Sequence, residues 1–235
     1  SHKKSDFPQI RGINACGISP EDSIAYCICS GHLVRVDKDG FAFVARTPRG
    51  RGSVSAGFDE DGTFWATAGL DVWKLEAPHS LVGYAESAPT LPELTTVGQT
   101  ESVHGADIVV WECYLVSVAG GKVVVTDSTD RNLRTFLPAA TADSDSLPVS
   151  GFGGAYMYSG RMFFSANGGA GVFKVDLDLV SVTYTAMREG ESSDDGLNCI
   201  LTEAPETTSA DVKDSAGRGS VSCIGAAVFA GLLHL

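Results

Sequence analysis

Apolar and polar positions along this chain fall into short segments bounded by Gly, Asp and Ser, with no sustained helical period. Strict alternation in Val72-Trp73-Lys74-Leu75 and again in Val172-Phe173-Lys174-Val175 predicts half-buried β-strands. The nearest approach to a 3.6-residue repeat, over residues 223–235, is short and interrupted by Gly225 and Gly231, so no helix is expected there. The segments recur in one order: a small-residue stretch, a turn, a β-rich stretch, a second turn, and a strand closing on a carboxylate. The first unit takes residues 13–17, 24–29 and 32–37, and the second takes 54–58, 63–67 and 71–76. The third takes 103–106, 113–118 and 122–127, and the fourth 149–152, 161–166 and 171–176.

The leading residues Ile13, Val54, Val103 and Val149 are 41, 49 and 46 positions apart, and the closing carboxylates Asp37, Glu76, Asp127 and Asp176 are 39, 51 and 49 apart. A period of about 46 residues, with several short strands in each unit, is that of a β-propeller blade. The expected fold is therefore all-β, with four readable blades and an irregular fifth. Residues 1–190 would hold blades 1 to 4. Residues 191–235, with Cys199 and Cys223, would form an irregular closing blade or a C-terminal extension. The small residues leading each unit suit inner strands, where blades crowd toward an axis. Asp39-Gly40, Asp61-Gly62 and Gly120-Gly121 suit hairpin turns that need positive φ. Residues 77–100, 138–148 and 189–219 read as long loops.

Composition narrows the function. The chain has 235 residues, 27 of them Gly, and a formal net charge of -12. Its cationic clusters amount to Lys3-Lys4 and the arginines of residues 46–51, too little basic surface for a nucleic-acid binder. Hydrophobic residues at 43% and charged residues at 20% exclude wholesale disorder. The longest apolar run, residues 224–233, is shorter than the ~20 residues a membrane-spanning helix needs. No N-x-S/T sequon occurs, so any glycan would be O-linked.

The candidate chemistry is sparse. Residues 37–40 and 59–62 both read D-x-D-G, the front of a calcium loop, but neither continues with the further oxygen donors such a site needs. The turn reading leads, and no metal or other cofactor is expected. His104 is the one histidine on a leading segment, where a catalytic base of a propeller lactonase or lyase would sit; a structural role is the simpler reading. No nucleophile elbow, phosphate loop or dinucleotide fingerprint is present, and no catalytic residue is assigned. The six cysteines fit either extracellular bridges or buried thiols. A hairpin around residues 20–23 sets Cys16 opposite Cys27, a bridgeable pair, with Cys29 on the same face. A Cys199–Cys223 bridge would staple the Ser/Thr/Glu-rich segment between them. Trp65, Trp73, Trp111, Tyr156, Tyr158, Phe163, Phe164 and Phe173 fall in expected strands. Packing between blades is their simplest role, and a sugar platform is the alternative.

The run from Ile13-Asn14-Ala15-Cys16-Gly17 through Leu33-Val34-Arg35-Val36-Asp37-Lys38-Asp39-Gly40, continued by Ser55-Ala56-Gly57-Phe58-Asp59-Glu60-Asp61-Gly62-Thr63, resembles extracellular propeller-like domains of bacterial and algal surface proteins. Asp194-Asp195-Gly196-Leu197-Asn198-Cys199, followed by Ala204-Pro205, is similar to the element that ends such domains in algal flagellar-hair (mastigoneme) proteins. The resemblance covers about residues 10–205 and brings no catalytic residue. It implies a non-enzymatic extracellular module, structural or adhesive, that packs against copies of itself or against other surface and filament proteins. A carbohydrate-binding propeller and a lactonase- or lyase-type enzyme are the alternatives, distinguished by glycan binding and by turnover.

Overall fold

A computed structural model describes residues 13–38, 40–50, 55–81, 90–101, 104–129, 133, 135–136, 145–148, 151–158, 160–179 and 181–186. Across these the chain forms four four-stranded antiparallel sheets, each a simple up-and-down meander. Blade 1 is β1 (Ile13–Ile18), β2 (Ala25–Cys29), β3 (His32–Asp37) and β4 (Gly40–Arg46). Blade 2 is β5 (Ser55–Phe58), β6 (Phe64–Ala68), β7 (Asp71–Leu75) and β8 (Thr95–Gln99). Blade 3 is β9 (Val109–Trp111), β10 (Tyr114–Ala119), β11 (Lys122–Asp127) and β12 (Thr135–Phe136), and blade 4 is β13 (Phe152–Tyr158), β14 (Arg161–Ala166), β15 (Gly171–Asp176) and β16 (Ser181–Ala186). The first strands meet in succession, β1 against β5, β5 against β9 and β9 against β13, which makes them the inner strands of a four-blade β-propeller.

Faces of neighbouring blades enclose the core. Tyr26, Ile28, Leu33 and Val44 of blade 1 pack on Phe58, Phe64 and Trp73 of blade 2. Trp65 and Val72 on the other face of blade 2 meet Ile108, Val110 and Leu115 at blade 3. Val109, Val116, Val123 and Val125 of blade 3 meet Phe152, Phe164, Phe173 and Val175 of blade 4. Burial on both faces explains why the strands of blade 3 read as continuous apolar runs, whereas β15 alternates buried and half-buried residues.

Several expectations shift. The third inner strand is β9, not residues 103–106; the backbone at Gly105 abuts the Val118 carbonyl, against which a Cβ at that position would collide. The fourth inner strand is Phe152–Tyr158, and Val149 lies outside the described residues. Each blade also ends on an outer strand that the sequence pattern did not reveal, and β8 lies inside the expected 77–100 loop. Outer strands bury less and pair along one edge, so their hydrophobic signal is weak. In β8 only Val97 and Gly98 are even half-buried. Residues 191–235, the expected closing blade or extension, lie outside the described residues.

In blade 1 the hairpin register sets Cys16 opposite Cys27, and a bulge at Ala15, which takes a positive φ, then shifts the pairing to Asn14 with Ile28. Cys16 and Cys27 are joined by a disulfide across 11 positions. Closing a loop of that size removes about 3 kcal/mol of unfolded-state entropy. The Cys16→Ala/Cys27→Ala variant is therefore expected to lose about 3 kcal/mol in urea unfolding, and an unchanged free energy would contradict this.

Candidate functional site

His104 is a buried polar group with a partner on each ring nitrogen. It precedes β9 and is 4% exposed. Its Nδ1 lies 3.0 Å from Ser117 Oγ in β10, and its Nε2 lies 3.1 Å from Thr126 Oγ1 in β11. The Gly105 amide donates to the same Ser117 oxygen at 3.2 Å. Both ring nitrogens are thus engaged by hydroxyls, and burial lowers the pKa from 6.5 to about 4. The arrangement keeps a neutral imidazole that ties the lead-in of blade 3 to its second and third strands. The sequence placed His104 in this region but did not supply its partners; the available signal was a hydroxyl inside an apolar run, Val116-Ser117-Val118 and Val125-Thr126.

The acidic positions are turn locks. Asp59 accepts from the Asp61 and Thr63 amides at 3.1 and 2.8 Å, and from Trp65 Nε1 at 2.8 Å. The second D-x-D-G segment therefore has its first carboxylate committed to holding a hairpin, while Asp39 of the other lies outside the described residues. Closing carboxylates do the same where β11 and β15 turn toward the outer strand: Asp127 accepts from the Thr129 amide at 2.8 Å, and Asp176 from the Leu179 amide at 2.9 Å. In blade 1, Asp22 accepts from the Tyr26 hydroxyl at 2.8 Å and pairs with Arg35, whose other arm reaches Asp37. Burial and this carboxylate raise the Tyr26 pKa. Among the described residues no three His, Cys, Asp or Glu side chains are grouped to hold a metal.

Of the cysteines, Cys29 retains a buried thiol beside Cys27 and Val34, 3.9 Å from Ser30 Oγ. Cys113, in the β9–β10 turn, is disulfide-bonded. Cys199 and Cys223 lie outside the described residues. Trp65, Trp73, Trp111, Phe164 and Phe173 are buried between blades. Tyr156 and Phe163 stack on the face of blade 4 turned away from blade 3, at 5.8 Å between centroids, and both are half-buried.

No protein-family model matches the chain, and no curated protein matches it. Solved structures do. A chain of the nidogen/laminin complex is similar at 8% identity with a TM-score of 0.54, over 83% of this chain and 71% of that one. An auxiliary nutrient binding protein from Bacteroides thetaiotaomicron is similar at 8% identity and a TM-score of 0.52, over 82% of this chain and 55% of that one. One from Bacteroides ovatus follows at 11% identity and 0.50, over 79% and 44%. The likeness is one of fold. This chain spans about half the length of the two nutrient-binding proteins.

The histidine makes a pH prediction. Its folded pKa of about 4 lies below the unfolded 6.5, so the unfolded state binds more protons between these values. Stability is then lost as pH falls from 6.5 toward 4, by on the order of 3 kcal/mol. Urea unfolding of wild type and His104→Gln across pH 7 to 4 checks it: the wild type should show the steeper decline, and parallel curves would contradict the assignment.

Proposed function

We propose that this chain is a non-enzymatic propeller module of an extracellular cell-surface or filament protein, of the flagellar-hair kind its repeats resemble, acting by protein–protein packing with copies of itself or with other surface proteins. The observation that carries the reading is the set of sheet edges. Blades 1 to 4 end on β4, β8, β12 and β16, each the terminal strand of its sheet among the described residues. A terminal strand presents a row of backbone donors and acceptors that a partner strand can complete.

The compartment rests on the Cys16–Cys27 disulfide, since such bridges persist in oxidising surroundings and are rare in the cytosol. No helix among the described residues is long and apolar enough to cross a membrane. The binding role draws support from the similar folds in a nidogen/laminin complex and in two auxiliary nutrient binding proteins. The non-enzymatic reading draws support from His104, whose ring nitrogens are both engaged and whose buried imidazole is a weak base at neutral pH. Sedimentation velocity over a hundredfold concentration range tests the proposal. Concentration-dependent association is expected; a monomer throughout, joined by glycan-array binding or by turnover of lactone or ester panels, would replace it with the lectin or enzyme alternative.

A further inference from the structure

Blades 2 and 4 have the same register in their central strands. Trp65 pairs with Lys74, Ala66 with Trp73 and Thr67 with Val72 in blade 2; Phe163 pairs with Lys174, Phe164 with Phe173 and Ser165 with Val172 in blade 4. The face of blade 2 that carries Trp65 and Val72 is covered by blade 3 through Ile108, Val110 and Leu115, so that Val72 is fully buried. The matching face of blade 4 carries Phe163 and Val172, yet both are only half-buried. No core cluster of the described residues joins blade 4 to blade 1. By its side chains, then, this face is built as an inter-blade face.

Two further observations say what belongs on it. The inner strands begin at Ile13, Ser55, Val109 and Phe152, which are 42, 54 and 43 positions apart. The next is therefore due between residues 194 and 206, a window containing Leu197-Asn198-Cys199-Ile200. The disulfide at Cys113 adds a covalent constraint. Cys16 and Cys27 are bridged to each other, and Cys29 retains its thiol within blade 1. Within the chain this leaves Cys199 and Cys223 as partners for Cys113. Cys113 sits where inner strand β9 turns into β10, at the end of the ring where every inner strand finishes. A cysteine near the end of a fifth inner strand would arrive close to that same end, and Cys199 is the one cysteine in the window.

We propose that residues 187–235 dock on the Phe163 face of blade 4 with Leu197-Asn198-Cys199-Ile200 as a fifth inner strand, fastened by a Cys113–Cys199 disulfide. On bond formation the two thiols lose two protons and two electrons, which pass to a protein or glutathione disulfide that is itself reduced to thiols. This assignment replaces the Cys199–Cys223 staple expected from sequence and stands independently of the proposed partner class.

Two measurements on the 235-residue chain test it. Peptide mapping without reductant should find Cys113 linked to Cys199; Cys113 linked to Cys223, or alkylated as a thiol, overturns the pairing. Hydrogen exchange should show the amides of residues 197–200 protected at least a hundredfold over free-chain rates, with protection falling at least tenfold in Phe163→Glu. Free-chain exchange of these amides in the wild type, or protection indifferent to Phe163→Glu, overturns the docking.

Discussion

The fold depends on how closely the inner strands approach one another. At β1 and β5 the backbones nearly touch: a Cβ added at Gly17 would lie 3.0 Å from the Gly57 Cα and 3.0 Å from Phe58 Cδ2. Small side chains mark this approach in three of the four inner strands, with Ala15, Cys16 and Gly17 in β1, Ser55, Ala56 and Gly57 in β5, and Gly153, Gly154 and Ala155 in β13, while β9 carries Val109, Val110 and Trp111. The large apolar side chains are displaced mostly outward, to the second and third strands of each blade, where the sheets diverge and leave room for Tyr26, Phe64, Trp73, Phe164 and Phe173. A separate close approach sets the Gly105 backbone against the Val118 carbonyl of β10, one residue from His104, and leaves no room for a Cβ there.

From that approach follows a layered molecule in which each blade is held mainly by its neighbours. Blades 2 and 3 are covered on both faces, and their side chains show it: Trp65 and Trp73 point to opposite faces of blade 2 and are both buried. Among the described residues most buried polar atoms have hydrogen-bond partners, the exceptions being Arg35 Nε, His79 Nδ1 and Tyr158 Oη. His104 has two hydroxyls, and Ser55 and Thr67 lie 2.5 Å apart as a buried hydroxyl pair. The charged groups instead lock turns at the rim, with Asp59, Asp127 and Asp176 each accepting backbone amides. The excess of acidic residues is thus partly structural, spread around the ring rather than focused on one site.

Much of this was legible in the residues. The period, the second and third strands of each blade, and the opposition of Cys16 to Cys27 all follow from side-chain pattern and hairpin register. What the pattern missed has two physical causes. Outer strands such as β8, Thr95–Gln99, face solvent and pair along one edge, so their residues need not be apolar. Long-range contacts are silent in a linear reading as well: nothing near His104 in sequence announces Ser117 or Thr126, or the approach of Gly105 to the Val118 carbonyl. The turn carboxylates, by contrast, were visible as a repeat before their hydrogen bonds gave the reason.

The close approach of β1 and β5 is the claim on which the rest stands, and Gly17→Val tests it most directly. Gly17 has no unusual backbone angle, so a branched side chain there challenges space rather than conformation. Urea unfolding of this variant should show a loss of about 1–3 kcal/mol relative to wild type. A variant as stable as the wild type would mean that the inner strands are not packed backbone against backbone, and would contradict the account.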